Sequence, residues 1–304
     1  MAHQIKKGPG FWKRFWAVRN LYIFFMPYMG LFFLFTVIPV LVSIGLSFTS
    51  FNVLQPPKWV FVDNYIRLFV KDSIFVKALL NTLVLAVVAG PGGFLISYVF
   101  AWFINELSPK LRSIMTLVFY APSIAGNAYL IWTLLFSGDA NGYVNAWLIR
   151  MGFITDPIQF FSNESYMMGI LISVILWTSL GTGFLSFVAG FQGIDKTMYE
   201  AGAVEGISNR WQELWYITLP SMRAQLMFGA VMSITSAFGI GAVVTSLFGF
   251  PSQNYALHTV ATHLEDYGSI RFEMGYASAI ATILFLLTIG CNSLISRLLA
   301  RVGE

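Results

Sequence analysis

Six long stretches that lack charged residues and histidine dominate this chain, and shorter polar segments separate them. The stretches cover residues 22–48, 78–104, 113–136, 166–190, 224–248 and 275–296. Each contains 22 to 27 residues, and an α-helix needs about 20 apolar residues to cross the hydrocarbon core of a bilayer. The pattern therefore predicts an all-α integral membrane protein with six transmembrane helices.

Composition agrees with this prediction. Of the 304 residues, 57% are hydrophobic and 11% are charged, and the mean hydropathy is +0.71, whereas about 25% of the residues of a soluble domain are charged. The first apolar stretch follows an arm of residues 1–21 and is too long for a signal-peptide core, so we expect a retained helix. The net charge of +4 does not indicate nucleic-acid binding, because the positions of the basic residues explain it better.

The distribution of Lys and Arg predicts the orientation. If the N-terminal arm lies inside, the inner segments hold 12 of these residues and the outer segments hold 6. Such an excess marks the cytoplasmic side. We therefore expect a cytoplasmic arm (1–21), a single transmembrane domain (22–299) with both ends inside, and a cytoplasmic loop at 195–220. Segments 49–77 and 137–165 then face outside, where they could meet an extracytoplasmic partner.

The apolar stretches lack the chemistry of several other classes of membrane protein. None of them contains Asp, Glu, Lys, Arg or His, which counts against a proton-driven carrier and weakens the case for sodium coupling. The dipeptide Gly-Lys does not occur, so there is no Walker A motif. No triad-like set of residues has a plausible common location. We expect no catalytic residue in this chain.

Metal binding is not indicated either. Cys291 is the only cysteine, and His3, His258 and His263 do not have the spacing of a metal site. The run from Gly90 to Gly93, which includes Pro91, lies inside an apolar stretch. It predicts a kinked or locally broken helix rather than a phosphate-binding loop.

Small and hydroxyl-bearing residues recur in the fourth and fifth stretches. Thr178, Thr182 and Ser186 follow at four-residue spacing and would share one helix face, and Ser233 and Ser236 lie together in the next stretch. Tight helix packing explains such residues, as does the lining of a passage for a polar solute. In the second interpretation, the neighbouring Trp177 would stack on a sugar ring.

The 195–220 loop reads DKTMYEAGAVEGISNRWQELWYITLP. Residues 196–205 favour a helix with Asp195 as its N-cap, and Gly206 suits a left-handed turn. A second short helix could cover residues 208–216 with Ser208 as its N-cap, and Pro220 would limit its continuation. Such a pair of helices could lie in the headgroup region of the membrane or could dock on a soluble partner.

Part of this loop resembles the EAA motif of binding-protein-dependent ABC importer permeases. The matching residues are Glu200-Ala201-Gly202, then Gly206, then Ile217-Thr218-Leu219-Pro220. Two departures are present: Gly202 stands where the motif has Ala, and residues 207–216 make the spacing between Gly206 and Ile217 one residue longer than usual. The longer spacing puts the contact register of the loop in doubt.

Four further stretches resemble the carbohydrate-uptake branch of these permeases, of the maltose type. They cover residues 38–52, 62–82, 116–126 and 273–287. The resemblance implies the permease fold of a type I importer in a bacterial cytoplasmic membrane, and uptake of a sugar or oligosaccharide. It also implies two ATPase subunits, which would hold ATP and Mg, an extracytoplasmic solute-binding protein, and a second permease subunit that is usually a different chain. No cofactor is expected in this chain itself.

The resemblance also assigns roles to residues. The residues expected to couple the chain to the ATPase are Glu200, Ala201, Gly202, Gly206, Trp211, Leu219 and Pro220. The residues expected to line the sugar passage, on the helices that flank the loop, are Trp177, Thr178, Thr182, Ser233 and Ser236. Alternatives are an ABC permease for another polar solute, such as glycerol phosphate, a sodium-coupled carrier, or a membrane protein without a transport function.

Overall fold

The computed structural model describes residues 19–300, which are mostly helical. The N-terminal arm and His3 lie outside the described residues, apart from the last residues of the arm. The first half contains helices α1 (Arg19–Phe32), α2 (Ile38–Leu46), α3 (Asp63–Ile66), α4 (Ser73–Asn105), α5 (Pro109–Ile124), α6 (Ile131–Leu135) and α7 (Tyr143–Arg150). The second half contains α8 (Glu164–Thr178), α9 (Thr182–Gly193), α10 (Lys196–Val204), α11 (Arg210–Glu213), α12 (Leu219–Ser221), α13 (Arg223–Phe238), α14 (Gly241–Phe248), α15 (Val260–Glu265) and α16 (Met274–Ala300).

Shorter elements connect these helices. Strands β1 (Thr49–Ser50) and β2 (Lys58–Trp59) pair antiparallel, with Thr49 opposite Trp59. Single 3₁₀ turns cover Ala128–Leu130 and Gln253–Tyr255, and π-helical turns cover Phe33–Val37, Arg67–Lys71, Leu214–Thr218 and Asp266–Ile270.

Three helices are long and apolar enough to cross a membrane as single elements. They are Leu21–Leu46, Ser73–Asn105 and Met274–Leu299. The other three predicted spans are broken into two helices each, bent by 87° between α5 and the 128–135 segment, 41° between α8 and α9, and 45° between α13 and α14. The described residues therefore provide three spans, or up to six if each bent pair crosses as one.

Helix α4 lies at the centre of the bundle and packs against α8, α9 and α13. The expected break at Gly90–Gly93 is absent, because α4 continues through Pro91. The glycines serve close packing instead. A Cβ atom at Gly93 would lie 2.9 Å from the Cβ of Ser179, and one at Gly92 would lie 3.0 Å from Leu176 Cδ2.

The apolar core lies in layers along α4. Toward the end that carries the 195–220 loop, Phe184 and Phe187 are fully buried against Tyr98 and Ala101. Toward the opposite end, Leu85 packs with Met167 and Leu171. Many large apolar side chains on the outside of the bundle remain exposed, as is expected of a protein whose outer surface faces lipid.

The first helical run packs loosely. Within Leu21–Leu46, the most apolar window has none of its residues buried. Helix α2 contacts α16, whereas α1 has its main contacts with the adjoining π turn. An apolar helix without protein around it is stable only in lipid or against another chain.

A buried polar network holds the far end of α4, opposite the 195–220 loop. Asp72 caps the helix: its Oδ1 accepts from the N–H of Phe75 at 2.9 Å, and its Oδ2 accepts from the Tyr276 hydroxyl at 2.8 Å. Nε2 of His263 lies 3.2 Å from the same Oδ2, and Nδ1 of His263 lies 3.1 Å from Nε2 of His258. The network connects the start of α4 with α15 and α16.

The partners fix the proton positions in this network. A carboxylate can only accept, so His263 Nε2 donates to Asp72, and the neutral ring then accepts at Nδ1 from His258 Nε2. Burial raises the pKa of Asp72, but the hydrogen bonds from Phe75 and Tyr276 and the neighbouring His263 outweigh this effect and lower it overall. Burial lowers the pKa of His258 to about 4 and also lowers that of His263. Both rings are therefore neutral at pH 7.

Candidate functional site

The first half of the 195–220 loop has the predicted local structure. Helix α10 begins after Asp195, whose carboxylate accepts from the N–H of Thr197 at 3.0 Å. That hydrogen bond lowers the pKa of the exposed Asp195 carboxyl. Gly206 has a φ of +97°, a left-handed conformation that costs glycine little because it has no Cβ. The turn reverses the chain direction after α10.

The second helix of the loop begins later than predicted. Its N-cap is Asn209, which accepts from the N–H of Gln212 at 2.9 Å, so the prediction of Ser208 as N-cap is wrong. The Gln212 side chain accepts from the N–H of Ser208 at 3.0 Å. The two hydrogen bonds satisfy the N–H groups of Gln212 and Ser208 at the helix start.

A π-helical turn, Leu214–Thr218, follows α11 directly. A π turn holds one more residue than an α turn, so it can accommodate the extra residue of the 207–216 spacing. Leu214, Ile217 and Thr218 are buried, and Leu214 belongs to the core cluster that contains Tyr98 and Ala101. Pro220 does not end the helix as predicted, because it lies in the first turn of α12, where the missing N–H has little cost.

Gly202 lies where the two helices of the loop meet. It is buried, and a Cβ atom there would lie 2.7 Å from Ile217 Cδ1 and 3.2 Å from Ile207 Cδ1. Its carbonyl accepts from the N–H of Ile207 at 2.9 Å. The absence of a side chain lets both isoleucines pack against α10. This contact gives a physical reason for glycine at a position where the motif has alanine.

The remaining predicted coupling residues differ in exposure. Glu200, Ala201, Trp211 and Pro220 are exposed, and Leu219 is half-buried. The loop also exposes several large apolar side chains, namely Met198, Val204, Trp211, Trp215 and Tyr216. An exposed apolar surface of this kind is typical of a contact with a membrane or with another protein.

The loop is attached to the end of α4. Arg210 donates from Nη2 to Glu106 Oε2 at 3.2 Å and from Nη1 to Glu213 Oε2 at 2.7 Å. The rings of Trp211 and Trp102 lie edge to face with centroids 5.4 Å apart. A cavity of about 650 Å³ lies between the loop and the ends of α4 and α5. Its charged lining residues are Glu106, Arg112, Lys196, Glu200, Arg210 and Glu213, so the two signs of charge balance.

A second cavity, of about 370 Å³, lies at the breaks in the three bent spans. Four of the five residues predicted for a passage line it: Thr178, Thr182, Ser233 and Ser236. They come together because the span containing α8 and α9 opens at Ser179–Gly181, between Thr178 and Thr182. The prediction of one continuous helix face through Thr178, Thr182 and Ser186 is wrong, and Ser186 does not line this cavity.

Trp177 lies elsewhere. Its ring packs edge to face on Trp132 with centroids 6.0 Å apart, and it lines a different cavity with residues of α5 and the 128–134 segment. The structure therefore does not bring Trp177 together with the hydroxyl-bearing residues.

Sequence reasoning did not identify the contribution of the third span to the hydroxyl-lined cavity. Tyr120, Ser123 and Tyr129 line it together with Ser179. The signal was present at Pro122 and Gly126, since a proline and a glycine with a φ of +57° flank the 87° bend. Among the lining residues in the described part of the chain, none carries a formal charge. Within residues 19–300, no three His, Cys, Asp or Glu side chains form a metal-binding group.

Comparison with known sequences gives the family. The sequence profile described as "Binding-protein-dependent transport system inner membrane component" matches residues 93–303. The chain is 31% identical over 280 residues to "Probable ABC transporter permease protein YesP" of Bacillus subtilis, covering 90% of this chain and 88% of that one. It is 27% identical to "Lactose transport system permease protein LacF" of Rhizobium radiobacter, covering 78% of both chains.

Relatives also differ in the solutes that their names state. "Spermidine/putrescine transport system permease protein PotB" of Salmonella typhimurium is 27% identical over 213 residues, covering 70% of this chain and 72% of that one. Family membership alone therefore does not select the solute.

A solved structure shows the same fold. It is a bacterial ABC transporter involved in the import of the acidic polysaccharide alginate, one chain of which matches with a TM-score of 0.79 and 23% identity. The match covers 96% of this chain and 99% of that chain. A second structure of the alginate transporter, with an alginate pentasaccharide-bound periplasmic protein, matches with a TM-score of 0.78. These matches confirm the predicted type I importer permease fold.

Proposed function

The chain belongs to the family of inner membrane components of binding-protein-dependent transport systems, and on this premise we propose that it carries a sugar or oligosaccharide into the cell. It is a permease of the ABC type and not itself an enzyme. In the proposal, separate subunits hydrolyse ATP, and this chain converts their movement into alternating access of the passage.

The 195–220 loop is the observation that carries the proposal. Its motif residues form two short helices closed by the Gly206 turn, and exposed apolar side chains cover its outer surface. A soluble ATPase subunit can bind such a surface with an apolar groove. We therefore assign ATPase contact to Glu200, Ala201, Trp211 and Pro220, and shaping of the loop to Gly202, Gly206 and Leu219.

The hydroxyl-lined cavity supports a neutral polyhydroxylated solute. Hydroxyl and backbone groups can exchange hydrogen bonds with a sugar, and the tyrosine rings can pack on its apolar faces. A phosphate-bearing solute or a polyamine would call for opposite charges, and the described cavity has none among its lining residues. We assign solute contact to Thr178, Thr182, Ser233 and Ser236, with Tyr120 and Ser123 as additional candidates.

The packing of the first helix supports a second permease subunit. Helix α1 leaves apolar surface uncovered from Leu21 to Phe32, and close packing with another chain would cover it. In the proposed arrangement the loop faces the cytoplasm, six spans cross the membrane, and the Asp72 end meets the solute-binding protein. Two ATPase subunits and a second, different permease chain complete the transporter.

Purification from native membranes in a gentle detergent tests the proposal. We expect a Walker-A ATPase and a six-span permease to co-purify, and Glu200→Ala or Gly206→Leu to reduce the amount of ATPase. Glu205→Ala is the matched control, because Glu205 is also exposed and is not one of the residues that match the motif. A chain that purifies alone even after crosslinking at the loop would overturn the proposed function.

The solute is tested with the reconstituted complex. ATP hydrolysis is measured with the associated binding protein and a panel of neutral oligosaccharides, an acidic oligosaccharide, glycerol phosphate and spermidine. Stimulation by a neutral oligosaccharide is the expected result. Stimulation by glycerol phosphate or spermidine alone would leave the ABC permease in place and contradict the sugar assignment.

A further inference from the structure

We propose that Arg210 and Trp211 attach the 195–220 loop to helix α4, so that the loop and the second span move together. The inference rests on the proposed function, because it concerns how movement imposed on the loop by an ATPase reaches the cavity. Arg210 and Trp211 are positioning residues in this proposal, and neither contacts the solute.

The polar half of the attachment is the Arg210 guanidinium. It bridges Glu213 of its own helix and Glu106, which directly follows α4. The hydrogen bond to Glu213 and the charge of Glu106 raise the pKa of Arg210. A guanidinium has donors on several edges and can hold two carboxylates at once. Its positive charge also lies near the C-terminal end of α4. The helix dipole favours a cation there and disfavours the unpaired carboxylate of Glu106.

The apolar half is the contact between Trp211 and Trp102. Trp102 and Glu106 are four residues apart and therefore share one face at the end of α4. Arg210 and Trp211 are consecutive at the start of α11. Two adjacent residues of the loop thus contact two residues of one α4 face, one pair through charge and the other through an edge-to-face ring contact. Because the two contacts are of different kinds, they oppose both sliding of the loop along α4 and separation of the loop from α4.

Helix α4 leads directly to the solute cavity. The Ser97 hydroxyl donates to the carbonyl of Ser179 at 3.0 Å. The Ser179 hydroxyl donates to the carbonyl of Leu176 at 2.7 Å and also lies 3.4 Å from the carbonyl oxygen of Gly93. Ser179 lies at the break between α8 and α9 and lines the cavity. Along an α-helix, Glu106 and Ser97 are about 14 Å apart. An unbroken helix over this distance can transmit a displacement of the loop to the break.

Both attaching residues lie in the 207–216 segment, which is one residue longer than the motif. The π turn Leu214–Thr218 overlaps the end of this segment and can accommodate the added residue. Arg210 and Trp211 can therefore reach α4 while Ile217 keeps its contact with Gly202.

A double-mutant cycle on the whole transporter tests the attachment. Glu106→Gln, Arg210→Gln and the double variant are reconstituted with the partner subunits and the binding protein. The readouts are the amount of bound ATPase and the factor by which solute-loaded binding protein stimulates ATP hydrolysis. Glu205→Gln is the matched control. Trp102→Leu tests the aromatic contact from the α4 side and leaves Trp211 in place.

For Glu106→Gln and Arg210→Gln we expect unchanged ATPase binding and a stimulation factor that falls by roughly twofold to fivefold, the range of an exposed ion pair. Trp102→Leu should also lower the stimulation factor without loss of bound ATPase. The double variant should fall no further than either single variant, because both remove the same contact. Arg210→Lys should retain part of the stimulation. Single variants that match Glu205→Gln, or effects that multiply in the double variant, would overturn the attachment. Absence of ATPase from the wild-type preparation would instead overturn the proposed function.

Discussion

The two ends of helix α4 are held in opposite ways. At the Asp72 end, the helix start is capped by a half-buried carboxylate that also accepts from the buried His263 and Tyr276. At the other end, Glu106 and Trp102 meet the 195–220 loop through an exposed ion pair and a tryptophan contact. Buried, satisfied polar groups favour one arrangement, whereas an exposed ion pair contributes little to the stability of the fold. We infer that the Asp72 end is the fixed end of the helix and that the loop end is the movable one.

The largest difference between the ends should appear when Asp72 is removed. Asp72→Ala leaves the His263 and Tyr276 donors buried without their acceptor, so we expect a loss of about 2–4 kcal/mol in the free energy of unfolding. Thermal unfolding in detergent measures it. Glu265→Ala, which removes an exposed carboxylate beside the network, should change the midpoint little. Equal effects of the two variants would contradict a fixed Asp72 end.

The same end should be sensitive to acid. The pKa of His258 is about 4 in the folded chain, and that of unfolded histidine is about 6.5. The stability that the neutral His258 ring contributes is therefore complete above pH 6.5. The free energy of unfolding then falls as the pH is lowered from 6.5 toward 4, because the unfolded chain takes up a proton that the folded chain does not. His263, Asp72, Asp266 and Arg271 face it. When the pH is lowered from 7.5 to 5, we expect protonation at His258 to reduce the free energy of unfolding by about 2 kcal/mol.

Unfolding midpoints at the two pH values, for the wild type and for His258→Gln, measure this effect. The variant should show a smaller dependence on pH. The lowered pKa of Asp72 acts only in more acidic solution and does not contribute in this range. Parallel pH dependences for the two proteins would show that the network does not sense acid through His258.

The cavity between the two ends gives a smaller effect. Thr178→Val and Ser233→Ala each remove one hydroxyl that can form a hydrogen bond with the solute. The loss of one such hydrogen bond costs about 0.5–1.5 kcal/mol. We therefore expect roughly a twofold to tenfold rise in the solute concentration for half-maximal transport. Trp177→Ala and Ser173→Ala should not change it, because neither residue lines this cavity. A larger effect of Trp177→Ala than of Ser233→Ala would restore the predicted stacking role of Trp177.

The smallest effect is expected at the loop end. Glu106→Ala removes one exposed ion pair, so the free energy of unfolding should change by less than about 1 kcal/mol. Thermal unfolding beside Asp72→Ala makes the comparison direct. A loss at Glu106 as large as that at Asp72 would mean that both ends of α4 are equally fixed.

The sequence was most informative where a residue type has one physical use. The apolar stretches predicted the helical membrane fold, Asp195 predicted a cap, and Gly206 predicted a left-handed turn. It was less informative where the role of a residue depends on which distant residues pack against it. Helix α4 continues through Pro91. Gly93 allows close packing, since Ser179 lies against it. The sequence around Gly93 does not show that Ser179 is its neighbour in the fold.

The candidate site shows the same division. Spacing placed Thr178 and Thr182 on one helix face, but it did not predict the break between them that brings both to the cavity. His258 and His263 are close in sequence, yet their partner Asp72 is 191 residues away from His263. A long-range contact of that kind leaves no periodic signal. For this reason the sequence, in which the two histidines lack the spacing of a metal site, did not predict the buried hydrogen-bond network that they form.

The uncovered first helix has a consequence for biogenesis. Lipid and protein are similarly apolar surroundings for such a helix, so it can insert early and join its neighbours late. The rest of the bundle has its own core around α4 and does not depend on α1 for burial. Synthesis of this subunit and its assembly into a complex can therefore be separate events, with α1 as the last surface to be covered.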